Sequence, residues 1–123
     1  MYRIIILILL HIAGDFILQD SKLSKLKASR YVALFTHVGI YTIFFIAVCP
    51  LFLGFTFMQG LVFSLINGGV HLVVDFFTSR LKKLFWPDNE GKYIVVISID
   101  HTLHLLTLVT TYIYLYPQIW ALS

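Results

Sequence analysis

The chain has 123 residues, of which 59% are hydrophobic and 12% charged. A soluble domain carries about 25% charged residues, so with a mean hydropathy of +0.90 the composition argues against a soluble globular protein. Disorder is excluded because it needs low hydrophobicity, and a disulfide scaffold because Cys49 is the single cysteine. The net charge of +3 comes mainly from basic residues in two short segments beside apolar runs, a pattern of membrane topology and not of a nucleic-acid partner.

Four apolar runs follow one another, none with the period-2 alternation of a barrel strand. The first covers 2–19. Its start has the layout of a signal peptide, with Arg3 ahead of Ile4 to Leu10. However, no A-x-A site follows, and the run continues through His11 and Asp15 to Leu18. A basic segment comes next, with Lys22, Lys25, Lys27 and Arg30; its stretch from Ser21 to Ala28, with Leu23 and Leu26 among lysines, is expected along the membrane surface. The second run, 31–49, stops at Pro50. The third covers 53–77. After it come Arg80, Lys82, Lys83 and Lys92, with a turn signalled by Pro87-Asp88-Asn89. The fourth covers 93–116 and is closed by Pro117.

Each run is close to the length that spans a bilayer, about 20 residues. The expected fold class is therefore all-α: a single polytopic domain over 1–123, with four transmembrane helices in two hairpins. Eight of the nine cations fall in the two basic segments, which places both on the cytoplasmic side of a bacterial inner membrane and both termini outside. Tyr31, Trp86 and Tyr93 then mark the inner interface; Tyr2, Tyr112, Tyr114, Tyr116 and Trp120 mark the outer one.

All five histidines (His11, His37, His71, His101 and His104) and three of the six acids (Asp15, Asp75 and Asp100) lie inside these runs. Ionisable groups at membrane depth are costly, normally face the bundle interior and mark function. His11 and Asp15 are four apart, as are His71 and Asp75, and Asp100 and His104, so each pair shares a helix face. At about 1.5 Å per residue, these six and His37 all lie between about 3 and 16 Å from the cytoplasmic ends of their runs. Runs of opposite direction thus bring them to one layer. His11-Ile-Ala-Gly-Asp15-Phe16 also recurs sixty positions later as His71-Leu-Val-Val-Asp75-Phe76, with Lys22 and Lys82 at the same offset. That suggests two parallel hairpins around a central site. Gln19, Asn67 and Ser79 extend the polar faces as supporting partners.

For any single pair, hydrogen-bonded glue between helices is the simpler reading. For the whole set, histidine with carboxylate from several helices is the composition of a transition-metal site. The expected ligands are His11, Asp15, His37, His71, Asp75, Asp100 and His104, with Asp15, Asp75 and Asp100 also the carboxylates for catalysis. The cofactor is a divalent metal ion: Zn, Mn or Fe. Gly60, Ser64 and Gly68 form a small-residue stripe suited to a close helix contact. There is no HExxH, CxxC or glycine-rich phosphate loop.

The element His11-x-x-Gly14-Asp15-Phe16-x-Leu18-Gln19, with His37, His71-x-x-x-Asp75 and Asp100-x-x-x-His104, resembles a domain-of-unknown-function family of small integral membrane proteins of bacteria and phages. The resemblance covers nearly the whole chain and implies no established activity. Tyr41 stands where the family pattern has a second histidine, and His101 where glutamine often stands. A looser similarity is to inner-membrane proteins described as metal-dependent hydrolases.

Three functions fit. The first is a metal-dependent hydrolase of a membrane-associated ester or phosphoester. The second is a metal-ion or proton transporter or channel, which the apolar outer halves of the runs disfavour. The third is a non-catalytic membrane accessory protein. The implied partners are the lipid bilayer and anionic lipid headgroups, with a homo-oligomer left open.

Overall fold

A computed structural model of the chain describes residues 2–17 and 26–115. Helix α1 spans Tyr2–Ile12 and runs directly into a π-helical turn, Ala13–Ile17. Helix α2 spans Tyr31–Phe52, α3 Phe57–Phe85 and α4 Glu90–Leu115. The described residues contain no strand. Helix α3 is central and packs along both α2 and α4, while α1 closes against α2 and α4.

The helix ends differ from the sequence expectation for identifiable reasons. Helix α2 does not stop at Pro50 but runs on to Phe52. A proline this near the end removes only one of the last helical hydrogen bonds. Gly54 then takes a left-handed conformation with φ of +70°, open to glycine at little cost. Helix α3 starts at Phe57, not Leu53, because Thr56 forms a reciprocal cap: its Oγ1 accepts from the Gln59 amide at 3.2 Å, and Gln59 Oε1 accepts from the Thr56 amide at 2.9 Å. Helix α3 also continues eight residues past Phe77, through Arg80, Lys82 and Lys83. Cations in a last turn complement the helix dipole, so half of the expected basic loop is helix. The remaining turn places Asn89 Oδ1 to accept from the Lys92 amide at 3.0 Å, capping α4.

The small-residue stripe of α3 lies against α2. A Cβ on Gly60 would sit 3.4 Å from Pro50 Cδ, and one on Gly68 would overlap Thr42 Oγ1. Beside this seam, Leu7, Tyr41, Phe45, Cys49, Phe63, Leu108 and Tyr112 form a buried apolar cluster. Toward the basic end, the buried side chains are instead polar: His11, Asp15, His37, His71, Asp75, Thr78, Ser79, Asp100 and His104. The outward faces carry large apolar side chains such as Phe35, Ile43, Leu51, Val73, Leu84 and Tyr114. Apolar outside and ionisable inside is the reverse of a soluble protein.

Helices α2, α3 and α4 are each long and apolar enough to cross a membrane. The first run is described only as eleven α-helical and five π-helical residues, about 24 Å of rise. The two copies of the H-x-x-x-D element also differ in backbone, because the first bridges an α-to-π transition while the second lies on continuous α-helix. Gln19 and most of the expected surface segment lie outside the described residues, as do Tyr116 and Trp120.

Candidate metal centre

Helix α3 supplies the spine of the site. His71, Asp75, Thr78 and Lys82 recur at helical spacing and form one stripe. Helix α2 contributes His37 and, one turn on, Tyr41; α4 contributes Asp100 and His104. Asp15 comes from the π turn. A π turn closes i→i+5 hydrogen bonds and recurs at functional sites. Gly14 lets this one sit close to α2, since a Cβ there would lie 2.9 Å from Phe44 Cδ1 and 3.2 Å from a Tyr41 ring carbon.

That turn re-aims Asp15. It meets His37 Nε2 at 3.1 Å and His71 Nε2 at 3.5 Å, and not the His11 four residues before it. His11 instead faces Tyr41, with Nδ1 2.8 Å from the phenol oxygen. Its Nε2 is buried with no hydrogen-bond partner among the described residues.

The other contacts are short. His37 Nε2 lies 3.0 Å from Asp75 Oδ2 and 3.1 Å from His71 Nε2. His71 Nε2 lies 3.3 Å from Asp75 Oδ2. His104 Nε2 lies 3.1 Å from Asp75 Oδ1 and 3.1 Å from Asp100 Oδ1. The His71 and His104 rings stack at 4.0 Å, and Tyr41 lies 4.3 Å from His71 on centroids. Stacking therefore fixes the His71 ring, whose Nδ1 has no hydrogen-bond partner among the described residues.

Two trios offer ligand atoms all within 4.8 Å of one another: Asp15, His37 and His71, and His71, Asp75 and His104. Ligands about 2.1 Å from a tetrahedral ion stand about 3.4 Å apart, close to the 3.1–3.5 Å among Asp15, His37 and His71. Hydrogen bonding alone handles this crowd poorly. If His37 and His71 both carried a proton on Nε2, two donors would face each other at 3.1 Å. With His37 donating and His71 accepting the two rings can hydrogen bond, but the bare Nε2 of His71 then also faces carboxylate oxygens at 3.3–3.5 Å. A cation among these atoms removes both conflicts.

Of the seven expected ligands, five thus belong to the trios. Asp100 adjoins them through His104, and His11 lies in the same layer outside them, its ring 5.9 Å from that of His104. His101 packs on Phe16 at 5.0 Å and belongs to neither trio.

Sequence reasoning missed several partners. Lys27, expected in a surface segment, is buried and pairs with Asp75 Oδ2 at 2.9 Å. No periodic signal marks it, because it lies in a turn. Thr78 donates to Asp100 Oδ1 at 2.7 Å, and Lys82 pairs with Asp100 Oδ2 at 3.3 Å. Both were readable by extending the His71–Asp75 stripe along α3. Three carboxylates thus face two ammonium groups, leaving one net negative charge when the imidazoles are neutral. A recess of about 200 Å³ reaches the cluster from the basic end, lined by Asp15, Lys27, Lys82, Tyr93, Asp100 and His101 among others.

No curated protein and no solved structure matches the chain. A family model described as "Protein of unknown function (DUF3307)" matches residues 4–123. With nearly its whole length covered, the chain belongs to the DUF3307 family.

Proposed function

We propose that the chain is a four-span inner-membrane protein whose His/Asp cluster holds a divalent metal ion. Such an ion would supply an activated water for hydrolysis of a membrane-associated ester or phosphoester at the cytoplasmic headgroup level. The observation that carries the reading is the pair of trios, where histidine nitrogens and carboxylate oxygens crowd within 4.8 Å of one another. Imidazole with carboxylate suits Zn, Mn or Fe. Such an ion lowers the pKa of bound water towards neutrality. The oxygen of that water would attack the carbonyl carbon or phosphorus, the bond to the leaving oxygen would break, and the departing alkoxide would take up the proton released by the water. Asp15 and Asp100 line the recess and are the carboxylates placed to receive the proton of the attacking water.

The recess opens among Lys27 and Lys82, and the basic side chains of this end attract anionic headgroups. Transport is disfavoured by the buried apolar plug of Leu7, Phe45, Phe63 and Leu108 beyond the cluster, since a permeation path needs polar groups across the full depth. The test is hydrolysis of phospholipid and carboxyl-ester substrates in mixed micelles by detergent-purified protein, with and without chelator. Turnover abolished by chelator and restored by one of the three metals supports the reading. Metal-loaded protein without turnover of either class counts against catalysis.

A further inference from the structure

We infer that the cluster holds two divalent ions, bridged by Asp75. This rests on the metal-centre reading above and deepens it. The two oxygens of Asp75 face different partners: Oδ2 meets Lys27 Nζ at 2.9 Å, His37 Nε2 at 3.0 Å and His71 Nε2 at 3.3 Å, whereas Oδ1 meets His104 Nε2 at 3.1 Å. Around Oδ2, Asp15 Oδ1 completes one position with His37 and His71, at 3.1 and 3.5 Å from their Nε2 atoms. Around Oδ1, the same His104 Nε2 lies 3.1 Å from Asp100 Oδ1, which marks out a second position of one imidazole and two carboxylates.

The spacing fits paired ions. Ions in two-metal hydrolytic sites stand about 3.5–4 Å apart. The His71 and His104 rings stack at 4.0 Å with planes 16° apart, so an imidazole of each position stands beside the other. Asp100 is held ready for this role. Thr78 donates to Oδ1, and Lys82 pairs with the other oxygen, Oδ2. Oδ1 keeps a lone pair for the ion, since a carboxylate oxygen accepts more than one partner. Both positions border the recess, the first through Asp15 and the second through Asp100.

Titrating metal-free, detergent-purified protein with Mn²⁺ and recording electron paramagnetic resonance tests this. Wild type is expected to saturate at two Mn²⁺ per chain with an exchange-coupled signal. Asp100→Asn keeps the side-chain volume and an oxygen for Thr78, and is expected to saturate at one Mn²⁺ with an uncoupled signal. Saturation of wild type at one ion, or at two uncoupled ions, overturns the second position and leaves a single-ion centre standing. Binding of none overturns the metal centre as well. A coupled two-ion signal persisting in Asp100→Asn overturns the assignment of Asp100 to the second position. The wild-type titration stands by itself if the variant does not fold.

Discussion

Replacing Asp75 by asparagine removes one charge and almost no volume from the most connected side chain of the cluster. Asp75 accepts from, or faces, His37, His71, His104 and Lys27 at 2.9–3.3 Å and is 1% exposed. Two separable losses follow. In the metal-free protein, the buried Lys27 ammonium loses its carboxylate, and breaking a buried pair from one side costs about 3–5 kcal/mol. In the presence of metal, wild type gains about 2.7 kcal/mol when the free ion stands at 100 times its Kd; a variant without its bridging carboxylate gains almost none. Thermal unfolding in detergent separates the two. The metal-free variant should melt below metal-free wild type, and added Zn²⁺ or Mn²⁺ should raise the midpoint of wild type alone. Asp88→Asn, at an exposed turn position, should behave as wild type. An equal metal-induced rise in Asp75→Asn and wild type would refute the reasoning.

Metal affinity should fall between about pH 7 and pH 5, where imidazole takes up protons. The sign follows from competition: the ion needs bare Nε2 atoms, so each imidazole that must lose a proton costs up to about tenfold in affinity per pH unit. Calorimetric titrations at several pH values check this, and affinity unchanged by acidification would contradict it. Gly14→Ala should destabilise by about 1–3 kcal/mol, since overpacking forces neighbours to shift and the new Cβ meets the Phe44 ring at 2.9 Å. It should also weaken metal binding by displacing Asp15; unchanged melting and metal content would count against the π turn as the positioning device. For topology, Asp88→Cys should resist an impermeant thiol reagent in intact cells and react after permeabilisation, while Ser123→Cys should react from outside. Labelling of Asp88→Cys from outside would reverse the orientation.

The fold was legible where one residue type dominates. Apolar length alone marked α2, α3 and α4, and the i,i+4 spacing of His71 with Asp75 and of Asp100 with His104 marked pairs that the structure brings within 3.3 Å and 3.1 Å. What escaped depends on backbone detail or on tertiary reach. Pro50 reads as a stop, yet it falls where a helix has few hydrogen bonds left to lose. His11 and Asp15 read as a face pair, but the π turn at Ala13–Ile17 intervenes, and no local sequence signal announces it. Arg80 to Phe85 read as loop because their charge marks the end of an apolar run, whereas a helix can project beyond the apolar layer. Lys27 reads as a surface cation, and burying it requires the carboxylates that three-dimensional packing assembles around it.

The most direct test of the central claim is the metal content of wild-type protein. The protein would be purified in detergent from cells grown with Zn, Mn and Fe and measured by plasma mass spectrometry against protein concentration. The account predicts at least one equivalent of a divalent transition metal per chain, removed by chelator and absent from Asp75→Asn purified in parallel. Wild type that carries no metal as purified, and takes up none after dialysis against each of the three ions, would contradict it.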